Sequence, residues 1–186
     1  DLAADGSATV TARLTYDLQG DTDQAAFEDL RSDEQAREQL RTQFRDRMQR
    51  VANAAASVTD REMAVTDGSI DVSVVETTGV VDLSVNWDGL AAVENDRLTV
   101  TEPFASGFGL DRPVVVHPPD GYSVSAVSPA PDVDDGTVRW DAGTDLDGFE
   151  VTFEPTAAGT DTSGPGFGPI AALIGIGSLA VALRRR

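Results

Sequence analysis

Ser32-Asp-Glu-Gln-Ala-Arg37-Glu-Gln-Leu40-Arg-Thr-Gln-Phe44-Arg-Asp-Arg-Met48-Gln-Arg-Val51-Ala-Asn-Ala-Ala55-Ala-Ser-Val58 is the stretch that decides the fold. Leu40, Phe44, Met48, Val51, Ala55 and Val58 recur at steps of three and four, the period of one apolar helix face. Ser32-Asp-Glu-Gln35 has capping-box spacing, so the sequence predicts a short helix near 24–31 and a longer one from 33 to about 58. Asp33/Arg37 and Asp46/Arg50 stand four apart, a spacing that favours ion pairs along a helix.

On the N-terminal side of this helix, Ser7 to Leu18 alternates. Val10, Ala12, Leu14, Tyr16 and Leu18 share one face, and Thr9, Thr11, Arg13, Thr15 and Asp17 the other, as in a half-buried strand. On its C-terminal side everything reads as strand. Ile70, Val72 and Val74 alternate, Thr77-Thr78-Gly79 turns, and Val81, Leu83, Val85 and Trp87 alternate back as a hairpin. Arg97–Glu102, Val114–Val116, Tyr122–Ser128, Thr137–Trp140 and a last strand with Phe149, Val151 and Phe153 follow. The expected fold class is α+β: an N-terminal strand, the long amphipathic helix laid on one sheet face, then six or seven short antiparallel strands. Residues 1–155 form this domain, with a seam near 103–112 if the later strands make a second small sandwich. Thr156 to residue 164 is a short polar linker, at most about 28 Å long when extended.

The segment 165–186 is of another kind. From Pro165 to Leu183 nineteen residues carry no charge, and Arg184, Arg185 and Arg186 follow. As a helix they span roughly 28 Å, close to a hydrocarbon core of about 30 Å, so a C-terminal transmembrane helix is expected. The positive-inside bias puts the three arginines in the cytoplasm and residues 1–164 outside. Pro165-Gly166-Phe167, the apolar run and the arginine cluster resemble the PGF-type C-terminal sorting signal of archaeal surface proteins. That resemblance implies recognition by an archaeosortase, removal of the tail and its replacement by a lipid anchor. The body is similar to an uncharacterised domain of haloarchaeal proteins with such tails, a likeness that implies no activity.

Composition agrees with an exterior, salt-adapted setting. All fourteen basic residues are arginine, and acids number thirty-two. With the three tail arginines set aside, eleven basic residues face those thirty-two acids, a balance of −21. Such a charge repels itself in dilute buffer and is screened in molar salt, where the Debye length is about 3 Å. It also argues against nucleic acid as a partner. There is no cysteine, which excludes disulfides and thiolate chemistry. An exterior domain needs a signal peptide, so the numbering is expected to begin after its removal.

No residue pattern marks an enzyme or a cofactor. His117 is the sole histidine and has no cysteine to share a zinc ion with, and no Gly-x-Ser-x-Gly elbow offers a nucleophile. Asp132-Val-Asp134-Asp135-Gly136 and Asp145-Leu-Asp147-Gly148 suggest calcium, yet neither fits the twelve-residue loop, and acidic runs arise readily among 23 aspartates. The helix is more telling. Residues 33–50 carry five arginines against four acids in an otherwise acidic chain. Arg37, Arg41 and Arg45 carry a candidate docking face for an acidic partner or anionic lipid heads. Ion pairing with the domain's own acids is the plainer alternative. Arg47 falls inside the apolar stripe, between Phe44 and Val51. The expected function is a non-enzymatic, membrane-anchored cell-surface domain of a halophilic archaeon that binds or supports other envelope proteins. An accessory subunit of a membrane complex and an exterior enzyme without a recognisable motif are the alternatives.

Overall fold

A computed structural model of the chain describes residues 1–106, 112–134 and 136–156. Strand β1 (Ala8–Asp17) opens the fold with the expected alternation, Val10, Ala12, Leu14 and Tyr16 half-buried between exposed neighbours. Helices α1 (Asp21–Ser32) and α2 (Glu34–Thr59) follow. Their junction lies where the capping spacing puts it, but the capping residue is Asp33. Its Oδ1 accepts from the N–H groups of Gln35 at 2.9 Å and Ala36 at 3.0 Å. Ser32 stays in α1, its hydroxyl donating to the Glu28 carbonyl at 2.7 Å. A carboxylate satisfies two orphan N–H groups and meets the positive end of the helix dipole, which a hydroxyl meets less well.

Strands β2 (Ala64–Val75) and β3 (Thr78–Asp88) form the hairpin, turning at Glu76-Thr77 with Glu76 at φ 54°. β3 also pairs antiparallel with β1, so the first sheet has the order β1-β3-β2. Arg13 and Asp82 face each other across β1 and β3, with Nε to Oδ1 at 2.8 Å and Nη2 to Oδ2 at 2.7 Å. The Arg13 hydrogen bonds hold the Asp82 carboxyl below its ordinary value. A depressed carboxylate stabilises the fold above its unfolded pKa, and that contribution disappears as pH falls through the folded value. Asp82→Asn should therefore flatten the loss of stability between about pH 4 and pH 2. Parallel denaturation curves for the two proteins across that window would contradict it.

α1 docks on the hairpin end of this sheet through Phe27, which is fully buried and lies 5.7 Å from the Tyr16 ring. The ring covers Gly79, where an added Cβ would come within 2.6 Å of Phe27 Cδ2. Gly79→Val should cost about 1–3 kcal/mol through overpacking, read as a lower thermal midpoint. An unchanged midpoint would mean that α1 is not seated on Gly79.

α2 lies mainly over β2. β2 bulges between Thr66 and Ser69, and Arg41 Nη1 donates to the Gly68 carbonyl there at 2.8 Å. Gln49 Oε1 accepts from the Val65 N–H at 3.1 Å. Ala52 and Ala55 are the buried residues of α2, because small side chains let the helix approach the sheet closely. Phe44, Met48 and Val51 pack around them half-buried. Val58, expected within the buried stripe, is 65% exposed, because the buried face of α2 centres on Ala52 and Ala55 and Val58 falls on the adjoining face with Arg50 and Ala54.

The remaining strands are β4 (Ala92–Glu94), β5 (Arg97–Val100), β6 (Val114–Val116), β7 (Tyr122–Ser128), β8 (Asp132–Asp134), β9 (Thr137–Trp140) and β10 (Glu150–Pro155). They make a second sheet of order β4-β5-β10-β7 and a third of order β6-β9-β8, all antiparallel. One apolar cluster runs from Leu2, Ala55 and Trp87 to Val100, Trp140 and Phe153, with Phe104 and Ala105 of the 103–112 stretch packed on it.

The expected fold class is therefore corrected. Nine strands follow the helices, where six or seven short ones were expected, and they divide among three sheets in a mostly antiparallel β structure. β4 and β8 escaped notice because three-residue edge strands, exposed at nearly every position, show no alternation. The expected C-terminal transmembrane helix lies outside the described residues. Among the described residues no helix is long and apolar enough to cross a membrane.

Candidate docking groove on the arginine-rich helix

The arginines of α2 have different fates. Arg37 turns back to the end of α1, its Nη1 donating to the Leu30 carbonyl at 3.0 Å and to that of Arg31. A guanidinium at carbonyls with no intrahelical partner closes the α1–α2 corner. Arg41 bonds Gly68 of β2 and forms an ion pair with Glu38, whose carboxyl it holds below its ordinary value. Arg45 pairs with its neighbour Asp46 at 2.9 Å, and its Cβ stands 3.3 Å from where a Cβ on Gly68 would sit. The three residues of the expected docking face thus serve the corner, the sheet edge and a local ion pair.

The expected i,i+4 pairs Asp33/Arg37 and Asp46/Arg50 do not form, because Asp33 is spent on the cap and Asp46 on Arg45. Arg47 and Arg50 are exposed and make no hydrogen bond or ion pair among the described residues. They border an open groove of about 700 Å³ between the second half of α2 and the segment after β5. Val51, Ala54 and Val58 line its helix side, and Glu102, Pro103 and Ser106 the other. The Glu102 carboxylate accepts from the Ser106 N–H at 3.1 Å and its hydroxyl at 2.6 Å, which fixes that wall. Arg61, just past α2, is held below its ordinary pKa by desolvation, partly offset by the field of Glu102.

The other candidates stand apart. His117 Nδ1 lies 3.1 Å from Thr137 Oγ1, and its carbonyl accepts from the Leu2 N–H at 2.9 Å. Asp132 and Asp134 point outward on the edge strand β8, and Asp145 Oδ1 caps the Asp147 N–H at 3.0 Å. Among the described residues no three His, Asp or Glu side chains gather to hold a metal ion. Pro165, Gly166, Phe167 and Arg184, Arg185 and Arg186 lie outside the described residues. Sequence reasoning overlooked Glu102, Ser106 and Val58 as groove residues. Their only advance signal was the unusual position of Arg47 within the apolar stripe.

Fold and groove together define an antiparallel β domain with a helical pair on one sheet and an arginine-lined cleft beside the longer helix. Residues 1–122 match the model of the family described as a domain of unknown function, DUF7345, and the chain belongs to that family. The match ends where β7 begins, although β7 and β10 complete the second sheet. No curated protein and no solved structure matches the chain.

Proposed function

We propose that this chain is a membrane-anchored cell-surface domain of a halophilic archaeon, with a binding or structural role in the envelope and no catalysis of its own. The observation that carries the reading is the segment 165–186: Pro165-Gly166-Phe167, an uncharged run to Leu183, then three arginines. In this reading an archaeosortase recognises the segment and exchanges it for a lipid, with residues 1–164 exterior and the arginines cytoplasmic until then. The absence of lysine and the formal charge of −18 support a salt-rich exterior. A binding role rests on the groove of α2. The carboxylates held below their ordinary range, Asp5, Glu38 and Asp82, are surface groups bonded to Ser7, Arg41 and Arg13, a pattern of ion pairing and capping more than of acid–base chemistry.

Mass spectrometry of the membrane-extracted protein tests this. Mature chains should end near the Pro165-Gly166-Phe167 motif and still partition with membranes through a lipid. Recovery of peptides reaching Ala182-Leu183-Arg184 from most mature molecules would remove the processing step. Recovery of the protein in the soluble fraction would remove the surface anchoring as well.

A further inference from the structure

The groove beside α2 carries one inference further. Arg47, Arg50, Val51, Ala54 and Val58 follow the i, i+3, i+4, i+7, i+11 spacing of a single helix face. That face therefore presents two cations and then an apolar end over roughly 16 Å. Among the described residues these two arginines make no hydrogen bond or ion pair in a chain with thirty-two acids, whereas the other three arginines of α2 all have partners. Two guanidinium groups without a partner among the described residues, beside an exposed valine, complement a chain that carries acid and apolar side chains together. Glu102, on the opposite wall, rejects a second carboxylate there and so sets the direction in which such a chain can lie.

We propose that this groove docks an acidic, extended peptide segment of a partner protein, its carboxylates on Arg47 and Arg50 and an apolar side chain against Val58. The groove lies at the opposite end of β10 from the point where the described chain leaves it. β5 and β10 are antiparallel, with Val100 opposite Val151 and Leu98 opposite Phe153. The groove wall Glu102–Ser106 continues from β5 at the start of β10, where Phe104 rests on Phe149 with ring centroids 4.9 Å apart. The described chain leaves β10 at its other end, where Thr156 N–H donates to the Gly121 carbonyl at 2.7 Å. Those ends are about 17 Å apart along the strand. In the exterior setting of the function proposed above, on which this inference rests, such a peptide segment belongs to a neighbouring envelope protein. The exposed valine beside the two arginines suits an acidic peptide with an apolar side chain better than lipid headgroups, which bring charge alone. The chain's own segment 157–186 is a poor occupant by charge, with Asp161 its single acid and three arginines.

The test uses the purified full chain in detergent, at the lowest salt in which Trp fluorescence reports the folded state. The probe is a fluorescein-labelled peptide of alternating aspartate and leucine, followed by anisotropy. Wild type should bind it despite its formal charge of −18, while the matching lysine–leucine peptide, which that charge attracts anywhere on the surface, serves as the reference for charge alone. The double variant Arg47→Glu, Arg50→Glu should lose about tenfold in affinity for the acidic peptide and gain affinity for the basic one. Arg31→Glu, on α1 and outside the groove, should leave both affinities unchanged. Because Arg47 and Arg50 have no partner to lose among the described residues, the melting midpoint of the double variant verifies that it folds. Equal binding by wild type and double variant would overturn the proposal. So would binding to vesicles containing phosphatidylglycerol that depends on these arginines while the acidic peptide does not bind, which would assign the groove to lipid. Either failure is read on purified protein and leaves the test of surface anchoring untouched.

Discussion

Trp140→Ala is expected to lower stability by about 3–5 kcal/mol, the largest loss from any single truncation in the second half of the chain. Trp140 is 1% exposed on the central strand of the third sheet and packs on Phe149 at 4.8 Å. Phe149 in turn packs on Phe104, so the indole joins the third sheet to the segment that walls the groove. Its Nε1 also donates to the Pro129 carbonyl at 3.0 Å, and truncation leaves that carbonyl without its donor. Trp87 provides the control. It is equally buried, but its Nε1 has no hydrogen-bond partner among the described residues. Trp140→Phe should therefore cost more than Trp87→Phe, since only the first breaks a hydrogen bond. Thermal melts followed by circular dichroism in molar salt decide the order. If the two Phe variants melt together, the Pro129 hydrogen bond contributes nothing.

Dilution of salt should have a comparably large effect. The chain has a formal charge of −18, and of its thirty-two acids those paired with Arg13, Arg31, Arg41, Arg45, Arg97 and Arg139 have an arginine within ion-pair distance. Most other carboxylates among the described residues stand on exposed positions. The Debye length grows from about 3 Å at 1 M to about 10 Å at 0.1 M, so neighbouring acids begin to feel one another as salt is removed. A domain held by 5–15 kcal/mol, roughly the usual range, has little to set against that repulsion. Folded protein in molar salt should lose its tertiary signal near 0.1 M, reported by Trp87 and Trp140 fluorescence. Identical unfolding midpoints at both salt concentrations would contradict the charge-repulsion account.

Local periodicity was legible in the residues and tertiary pairing was not. β1, α2 and the β2–β3 hairpin could be read because each has many residues repeating with one period. The partition into three sheets could not, because β5 pairs with β10 across more than fifty residues and nothing local to Leu98 announces Phe153. The candidate site divides in the same way. The arginine face was visible as a charge pattern. The acceptors that occupy Arg37 and Arg41, the carbonyls of Leu30 and Gly68, belong to the backbone and come within reach only once α1 and β2 have packed on α2. Which arginines stay unpartnered is therefore a property of the fold, and so is the groove they border.

The bonds from Arg41 and Gln49 to the backbone of β2 have a consequence for behaviour at high concentration. β2 is an outer strand of twelve residues, long enough to template a neighbouring chain. At Gly68 and Val65 the groups that would recruit such a neighbour are already taken by side chains of the molecule's own helix. The bulge between Thr66 and Ser69 also bends the strand out of the straight line that intermolecular pairing requires. Around Val65 and Gly68, α2 thus stands in the way of edge-to-edge pairing, a safeguard of value to any domain held crowded beside its own copies.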